Sequence, residues 1–420
     1  MLMHGARRGW AVLLAVAVGA GLLLGVGQAS AALQLGAASR TELTTARPGV
    51  SHAYQFLNQM MDRYARGSLP RLVQSYTGGV LGAENYTASS TYDDALVVDA
   101  YLAQRTPVGQ GRAETTGNAL LTALAQSAPQ GGGLYDDYAP DPLRLPADVQ
   151  PEATAQTTGD ASWAGDALVQ LYAATRLPAY LTGAENLAGW IQANTSDVRG
   201  QGGYTGGYAG SGIKLEWKST EQNTDVYAFF SLLARESGLP GWATRASAAR
   251  TFIVSMWNPA QQRFSLGTMT DGVTTNDSPQ TEDVNSWSSL ALRSPAYAAS
   301  VWDVTSLAAA AGPLQGVSIC PGDRTGVWFE GTAHLADALE SRGQPGDSAQ
   351  AAAYLADLAY AQARGPNEDG LGIMAASKDG LTDCAGDSVY ASLHTGTTAW
   401  YILAASAVNP LSTSTPVSAQ

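Results

Sequence analysis

Cysteine and histidine are scarce in this chain, with 2 cysteines and 4 histidines among 420 residues. Cys320 and Cys384 are too few for a thiolate metal cluster, but an even number suits one disulfide in an oxidising compartment. Outside the N-terminal region only His334 and His394 remain, which are too few for a zinc centre. We therefore predict neither a metal nor another cofactor.

Positive charge is also limited. Lys and Arg total 23 against 36 Asp and Glu, which gives a formal net charge of −13. A nucleic-acid partner requires a basic surface, so this class of partner is excluded. The stretch GGYTGGYAG lacks the strand and helix of a dinucleotide-binding fingerprint. Hydrophobic residues make up 45% of the chain and charged residues 14%, so most of it can fold around a large core.

The N-terminus has the order of a secretory signal, residues 1–31. Arg7 and Arg8 precede an apolar run that is followed by small residues at Ala29 to Ala31. The run is nearly long enough to cross a bilayer, so an uncleaved anchor is the alternative, and it is the only membrane contact that we expect. A linker (32–50), a folded domain (51–410) placed outside the cytoplasm and a disordered tail (411–420) complete the predicted organisation.

Strand patterns are nearly absent, whereas apolar residues at helical spacing recur between loops rich in Gly, Pro, Asp and Ser. The sequence predicts about twelve helices, at residues 51–66, 92–104, 111–127, 163–175, 178–194, 221–236, 242–257, 285–293, 297–311, 329–342, 347–363 and 395–407.

These helices alternate between two kinds. One kind is amphipathic, as in DSAQAAAYLADLAYAQA, and the other is apolar almost all round, as in TYDDALVVDAYL. A helix that is apolar on every face must be covered on every face. Six such helices inside six amphipathic ones predict an all-α fold, an (α/α)6 toroid of about six helical hairpins with short β-ribbons or loops at its mouth.

In such a ring the starts of all inner helices meet at one end, the mouth. Cys320 precedes the fifth inner helix and Cys384 precedes the sixth, so a disulfide between them would join adjacent loops and stabilise the fold by a few kcal/mol. The segment 139–160 is a long surface loop that we expect near the mouth.

Carboxylates lie at two of these helix starts. In EWKSTEQNTD, Ser219 and Gln222 form a capping-box pattern, which puts Glu221 and Asp225 on one helix face. A glutamate in a first turn also complements the helix dipole, so Glu221 has a purely structural alternative. Asp225 precedes the apolar run VYAFFSLL, where a buried carboxylate needs a function.

Glu330 begins the helix in GVWFEGTAHLADAL. Trp328 and Phe329 provide an apolar wall that is expected to raise its pKa, and Gly331 is expected to let a ligand approach. A glutamate with a raised pKa is a general acid at neutral pH. Aromatic rings beside acids suit a sugar-binding groove, and the predicted substrate-binding residues are Asp93, Asp94, Trp163, Trp217, Asp283, Trp287, Trp328 and His394.

The segments TYDDALVVDAYL, EWKSTEQNTDVYAFF, WFEGTAHLADAL and SLHTGTTAWYILAASAVNPL resemble the six-hairpin glycosidase superfamily, over residues 51 to 410. The resemblance implies carbohydrate chemistry in the mouth, with an acid on one inner helix facing a base on another. Glu330 matches the position of the acid, and Glu221 or Asp225 matches the base.

Three functions remain open. The leading hypothesis is a secreted glycoside hydrolase, with an inverting mechanism, that acts on an extracellular oligo- or polysaccharide. The second is a glycan-binding toroid without catalysis. The third is a sugar epimerase or a polysaccharide lyase, for which His334 and His394 should both face the mouth. Because His334 lies one turn below Glu330 on an Ala- and Leu-rich helix, a structural role is favoured for it.

Overall fold

The computed structural model describes residues 48–127, 131–140 and 154–420. The predicted signal or anchor, most of the linker and residues 141–153 of the predicted surface loop lie outside these ranges. Among the helices of the described ranges, none combines the length and the apolar character needed to cross a bilayer.

Helices dominate the described residues. In chain order they are α1 (Pro48–Asp62), α2 (Gly79–Ala83), α3 (Thr91–Ala103), α4 (Pro107–Ser127), α5 (Thr158–Thr175), α6 (Pro178–Thr195), α7 (Thr220–Ser237), α8 (Pro240–Ser255), α9 (Glu282–Leu292), α10 (Ser300–Thr305), α11 (Phe329–Arg342), α12 (Asp347–Arg364) and α13 (Thr395–Ala405).

Six of these helices form a closed inner ring. Each of α3, α5, α7, α9, α11 and α13 packs on the next, and α13 packs back on α3. The outer layer consists of α4, α6, α8, α10 and α12, together with α1, which packs on α13. The predicted (α/α)6 toroid is therefore confirmed.

Burial distinguishes the two layers as the sequence patterns require. In α3 every residue from Thr91 to Leu102 is buried, whereas α12 buries one face only. Four outer helices begin with proline, which suits the first turn because it has no N–H to leave unpaired. The inner helices α5 and α7 begin with side-chain caps instead, including the predicted one, in which Ser219 Oγ accepts from the Gln222 backbone N–H at 3.3 Å.

Short strands accompany the helix starts. They are β1 (Tyr76–Thr77), β2 (Ser89–Ser90), β3 (Asp137–Tyr138), β4 (Gln156–Thr157), β5 (Gly207–Tyr208), β6 (Lys214–Leu215), β7 (Trp257–Asn258), β8 (Arg263–Phe264), β9 (Gly267–Thr268), β10 (Thr275–Asn276), β11 (Ala308–Ala311), β12 (Leu314–Val317), β13 (Ile373–Met374), β14 (Leu381–Thr382), β15 (Ser388–Val389) and β16 (Leu393–His394).

All the strand pairs in the described ranges are antiparallel. In the sheet β1–β16–β13, His394 is opposite both Tyr76 and Ile373, which fixes the start of α13. In the sheet β4–β5–β6, Thr157 is opposite Gly207 at the start of α5. The ribbons therefore hold the inner-helix starts in place.

The predicted helix 297–311 is wrong over much of its length. The helix α10 covers only Ser300–Thr305, and the chain then forms the hairpin β11–β12. A turn at Gly312, with a φ of 62°, reverses the chain there. The hairpin lies against α11, because Thr332 Oγ1 accepts a hydrogen bond from the Val317 backbone N–H at 3.1 Å.

The C-terminal residues pack beneath the ring. Composition alone predicted disorder for residues 411–420, whereas the structure buries Leu411 and Val417. The Val417 backbone N–H donates to Gln170 Oε1 of α5 at 2.9 Å, and Asn409 donates to the Leu290 carbonyl of α9 at 2.8 Å. These contacts lie at the end of the inner helices away from the mouth.

The predicted disulfide between Cys320 and Cys384 is confirmed. It joins two loops that are 64 residues apart in sequence, one before α11 and one before α13, with their Cα atoms 6.2 Å apart.

Candidate active site

Polar contacts between inner-helix starts follow the ring at one end. Asp160 of α5 accepts from the Tyr92 backbone N–H of α3 at 3.1 Å. The ring nitrogen Nε2 of His394, at the start of α13, lies 3.2 Å from Asp93 Oδ2 of α3. On α11, His334 Nδ1 lies 2.9 Å from Glu282 Oε2 of α9. The predicted single mouth therefore exists, and its acids converge from different helices.

Glu330 is the most densely contacted acid of the mouth. The Tyr92 hydroxyl donates to Glu330 Oε1 at 2.7 Å, and Trp400 Nε1–H donates to the same hydroxyl at 2.7 Å. His394 Nδ1 lies 3.4 Å from Glu330 Oε2, and His334 Nε2 lies 3.8 Å from Oε1. Both histidines thus flank one carboxylate that is itself only 1% exposed.

These contacts overturn the expected charge state of Glu330. Burial alone would raise its pKa, but the imidazoles of His334 and His394 and the Tyr92 hydroxyl outweigh burial and lower the pKa. The apolar residues beside Glu330 are visible in the sequence, whereas its polar partners come from distant segments and could not be predicted. Glu330 is therefore held as an anion and not as the protonated acid that was expected.

The two histidines carry raised pKa values. Burial works against the charged form of His334, yet Glu282 and then Glu330 raise its pKa to about 9. For His394 burial again opposes the charge, and Asp93 and Glu330 raise the pKa. His394 also lies at the start of α13, where its Nδ1 is 3.1 Å from the Thr397 backbone nitrogen.

The other side of the mouth has the opposite character. Asp225 of α7 is 2% exposed, and neither carboxyl oxygen has a hydrogen-bond partner within the described residues. Burial, reinforced by Asp160, Asp283 and Asp166, raises its pKa well above the usual range. Burial also raises the pKa of Asp160 to about 6 and that of Asp166 to about 7. Three carboxyl groups with raised pKa values therefore lie on α5 and α7.

Aromatic rings form a cluster between these two sides. Trp163 and Trp287 pack with their ring centroids 5.2 Å apart, and Tyr92 lies 5.2 Å from Trp163. The indole N–H groups of Trp163, Trp287 and Trp328 are buried and have no hydrogen-bond partner in the described part of the chain. Buried donors of this kind need an explanation, and a hydroxyl-rich ligand is one.

Other residues that were expected to bind substrate are placed differently. Asp94 accepts from the Val73 backbone N–H and from Ser89 Oγ, each at 2.8 Å, so it anchors a loop on α3. Asp283 Oδ1 accepts from the Val284 backbone N–H at 2.7 Å. The Trp217 ring covers Gly206, where any Cβ would collide with it. Glu221, which was the alternative to Asp225 as the catalytic base, is the second residue of α7 and is 8% exposed.

Gly331 was expected to let a ligand approach Glu330. In the structure the space beside it is occupied by protein, because a Cβ at Gly331 would overlap the Trp328 ring and lie 3.1 Å from Glu282 Oε2. Gly331 therefore admits two neighbouring side chains to α11.

Sequence reasoning missed three residues of this network, namely Tyr92, Glu282 and Trp400. Each stands beside a residue or in a segment that was selected, since Tyr92 precedes Asp93, Glu282 precedes Asp283 and Trp400 lies in HTGTTAWYILAA. Tyr92 and Trp400 read as core residues, and Glu282 duplicates the neighbouring Asp283. The sequence therefore did not indicate that any of them contacts a distant polar side chain. Within residues 48–127, 131–140 and 154–420, no three His, Cys, Asp or Glu side chains are grouped to hold a metal ion.

The sequence matches no model of a known protein family, and no curated protein is significantly similar to it. Solved structures do match its fold. A cellobiose 2-epimerase from Bacillus thermoamylovorans is 7% identical at a TM-score of 0.60, covering 84% of this chain and 98% of that one. The chain therefore shares the (α/α)6 toroid fold of that structure.

Two further structures share this fold. A D-mannose isomerase is 10% identical at a TM-score of 0.62, and the match covers 87% of this chain and 97% of that chain. A glycosidase in complex with glucose is 12% identical at a TM-score of 0.60, covering 88% of this chain and 97% of the other. At such identities the likeness establishes the fold alone, so the chemistry has to be argued from the mouth.

Proposed function

We propose that the protein is a sugar-processing enzyme, and specifically an inverting glycoside hydrolase in which Asp225 is the general acid and Glu330 is the general base. The observation that carries this proposal is the contrast between two buried carboxyl groups of the mouth. Neither oxygen of Asp225 on α7 has a hydrogen-bond partner within the described residues, whereas Glu330 on α11 faces two histidines and a tyrosine hydroxyl. An acid and a base whose surroundings separate their pKa values are the requirement for such catalysis. The roles are reversed relative to the sequence-based expectation.

The reaction would proceed in one displacement. Asp225 donates its proton to the glycosidic oxygen of the leaving group, while Glu330 removes a proton from the water that attacks the anomeric carbon. Glu330 Oε2 suits this step because Oε1 already accepts the Tyr92 hydrogen bond, whereas Oε2 has no hydrogen bond within the described residues. The helix α9 separates α7 from α11 in the ring, which favours the wider carboxyl spacing of inverting enzymes.

The aromatic cluster would bind the sugar. Indole rings pack against the apolar faces of pyranoses, and the unpaired N–H groups of Trp163, Trp287 and Trp328 can donate to hydroxyl oxygens. Asp93 Oδ1, which has no hydrogen-bond partner in the described ranges, can accept from a sugar hydroxyl.

Turnover of the wild type and of the Glu330→Gln and Asp225→Asn variants on a panel of oligosaccharides tests this proposal. Each substitution should lower kcat by roughly 10²–10⁴-fold, the usual contribution of a positioned acid or base. Proton NMR of the first product anomer should show inversion. The control is Asp337→Asn, a buried residue of α11 whose pKa burial raises to about 8, so the amide replaces an already neutral group. Wild-type turnover in Asp225→Asn would exclude its acid role, and binding without any cleavage would favour the non-catalytic alternative.

A second candidate is a sugar epimerase or isomerase. The specific observation in its favour is that His334 and His394 both lie within 3.8 Å of the Glu330 carboxylate. Histidines at such a site can exchange a proton on the carbon beside a sugar carbonyl. Incubation of free aldoses with the enzyme in D₂O discriminates the epimerase from the hydrolase. Deuterium incorporated at that carbon, by an enzyme that cleaves no glycosidic bond, would replace the hydrolase proposal.

We also propose that the protein is exported. The signal-like N-terminus and the disulfide between Cys320 and Cys384 support this location, because disulfides persist in oxidising compartments. Cell fractionation tests the proposed export. The N-terminal sequence of the mature protein then shows whether the signal-like segment is cleaved or retained as an anchor.

A further inference from the structure

We propose that His334, fixed by Glu282, is a charged positioning residue that holds the Glu330 carboxylate ionised and oriented. Glu282 and His334 lie outside the acid–base pair of the proposed mechanism. The inference depends on the proposed role of Glu330 as the base, and its test includes a measurement that requires no turnover.

The geometry places His334 between two carboxylates. Its Nδ1 lies 2.9 Å from Glu282 Oε2 on α9, and its Nε2 lies 3.8 Å from Glu330 Oε1 on its own helix. All three side chains are at most 1% exposed. If the His334 imidazole were neutral, two buried glutamates would have no cation between them. That arrangement costs far more free energy than an imidazolium shared by the two carboxylates.

Three tryptophan rings surround the imidazole. The centroid of His334 lies 4.4 Å from that of Trp400, 5.2 Å from Trp287 and 5.3 Å from Trp328. Aromatic rings attract a cation through their quadrupoles, and they exclude the water that would screen it. The enclosure therefore favours the charged imidazole, whose nearest carboxylates are those of Glu282 and Glu330, so His334 acts through Glu330.

Other titratable groups also lie around His334 and Glu330. Tyr92 from α3 donates to Glu330, and His394 at the start of α13 lies between Glu330 and Asp93. Asp337, one turn below His334, has a pKa that burial raises to about 8. Glu282 itself has a pKa that burial raises against the opposing effect of His334. Its link to His334 is thus the contact whose loss should change the charge of the centre.

The experiment follows the ring nitrogens of histidine by ¹⁵N NMR between pH 5 and 10 in the full chain. In the wild type His334 should remain protonated past neutral pH, with a midpoint near 9. In Glu282→Gln the midpoint should fall by about one to three units, the usual effect of one close opposite charge. Glu340→Gln, which removes a charge from the same helix at a partly exposed site, is the matched control and should leave the midpoint unchanged.

Kinetics complete the test. In Glu282→Gln kcat at neutral to alkaline pH should fall with KM nearly unchanged. The alkaline limb of the kcat profile should move to lower pH, because His334 then loses its proton at lower pH and Glu330 loses its cation; Glu282→Asp should restore part of both. A wild-type His334 that titrates below pH 7, a measurement that does not depend on any variant folding, would overturn the inference. A charged His334 in a protein without hydrolysis would instead reject the proposed function and leave the electrostatic assignment standing.

Discussion

The carboxylates of α11 and of α7 occupy comparable places at the starts of inner helices, yet their surroundings differ. Glu330 on α11 has two histidines and a tyrosine hydroxyl within 3.8 Å. Asp225 on α7 has other acids as its charged neighbours and no hydrogen bond within the described residues. Burial is nearly equal, at 1% and 2% exposure. The comparison teaches that partners, and not burial or helix position, decide which carboxyl is ionised.

The largest expected effect concerns the pH dependence of stability. A carboxyl whose pKa rises on folding binds its proton more tightly in the folded state, so stability falls as pH rises from the unfolded value through the folded one. For Asp160 and Asp166 this window extends from about 4 to about 6 and about 7. The stabilisation from His334 is complete below about pH 6.5 and is lost as pH rises through about 9.

Both sides of the mouth therefore lose stability between pH 5 and pH 9. Thermal unfolding followed by circular dichroism should give a Tm several degrees lower at pH 9. Asp225→Asn, which removes one titrating carboxyl, should make this dependence shallower. Glu330, whose pKa is lowered, acts in the opposite sense at the mouth, because it adds stability that disappears on acidification below its unfolded pKa near 4.3. A Tm that is flat or rising from pH 5 to 9 would contradict the assigned charge states.

A second prediction compares the same type of substitution on the two sides. Glu330→Gln removes the anion that two histidines face, so we expect a loss of about 3 kcal/mol in the free energy of unfolding at pH 7. Asp225→Asn replaces a neutral group by a neutral one of similar size, so stability should be unchanged or raised. Urea denaturation measures both. Equal losses in the two variants would remove the distinction between the sides.

The smallest effect concerns packing, which should be alike on both sides. A Cβ at Gly165 would overlap the Phe229 ring, and one at Gly331 would overlap Trp328. Gly165→Ala and Gly331→Ala should each lower stability by about 1–3 kcal/mol through overpacking. In Gly189→Ala, on the exposed face of α6 with no atom within 4 Å of the new Cβ, better helix propensity should raise stability by roughly 0.5–1 kcal/mol. If Gly165→Ala left the free energy of unfolding unchanged, it would show that α7 can shift away from α5.

The helices were largely predictable because their evidence is local. Apolar spacing, a serine cap and proline at helix starts are read within a few residues, and α5 to α9 begin within a few residues of the predicted positions. The segment after α10 was misassigned because Ala-rich residues suit a helix, while the contact of β12 with α11 made it a hairpin. The C-terminal residues have a polar composition, yet partners on α5 and α9 order them.

The sequence by itself determined the ring of helices and the concentration of acids and aromatics at one end, because periodicity and capping are properties of neighbouring residues. Only the tertiary structure decided which acid is charged. Tyr92 donates to Glu330 across 238 positions, and His394 meets Asp93 across 301. A pKa depends on what lies within a few ångströms in space, and closure of the ring brings together groups whose separation in sequence carries no signal of contact.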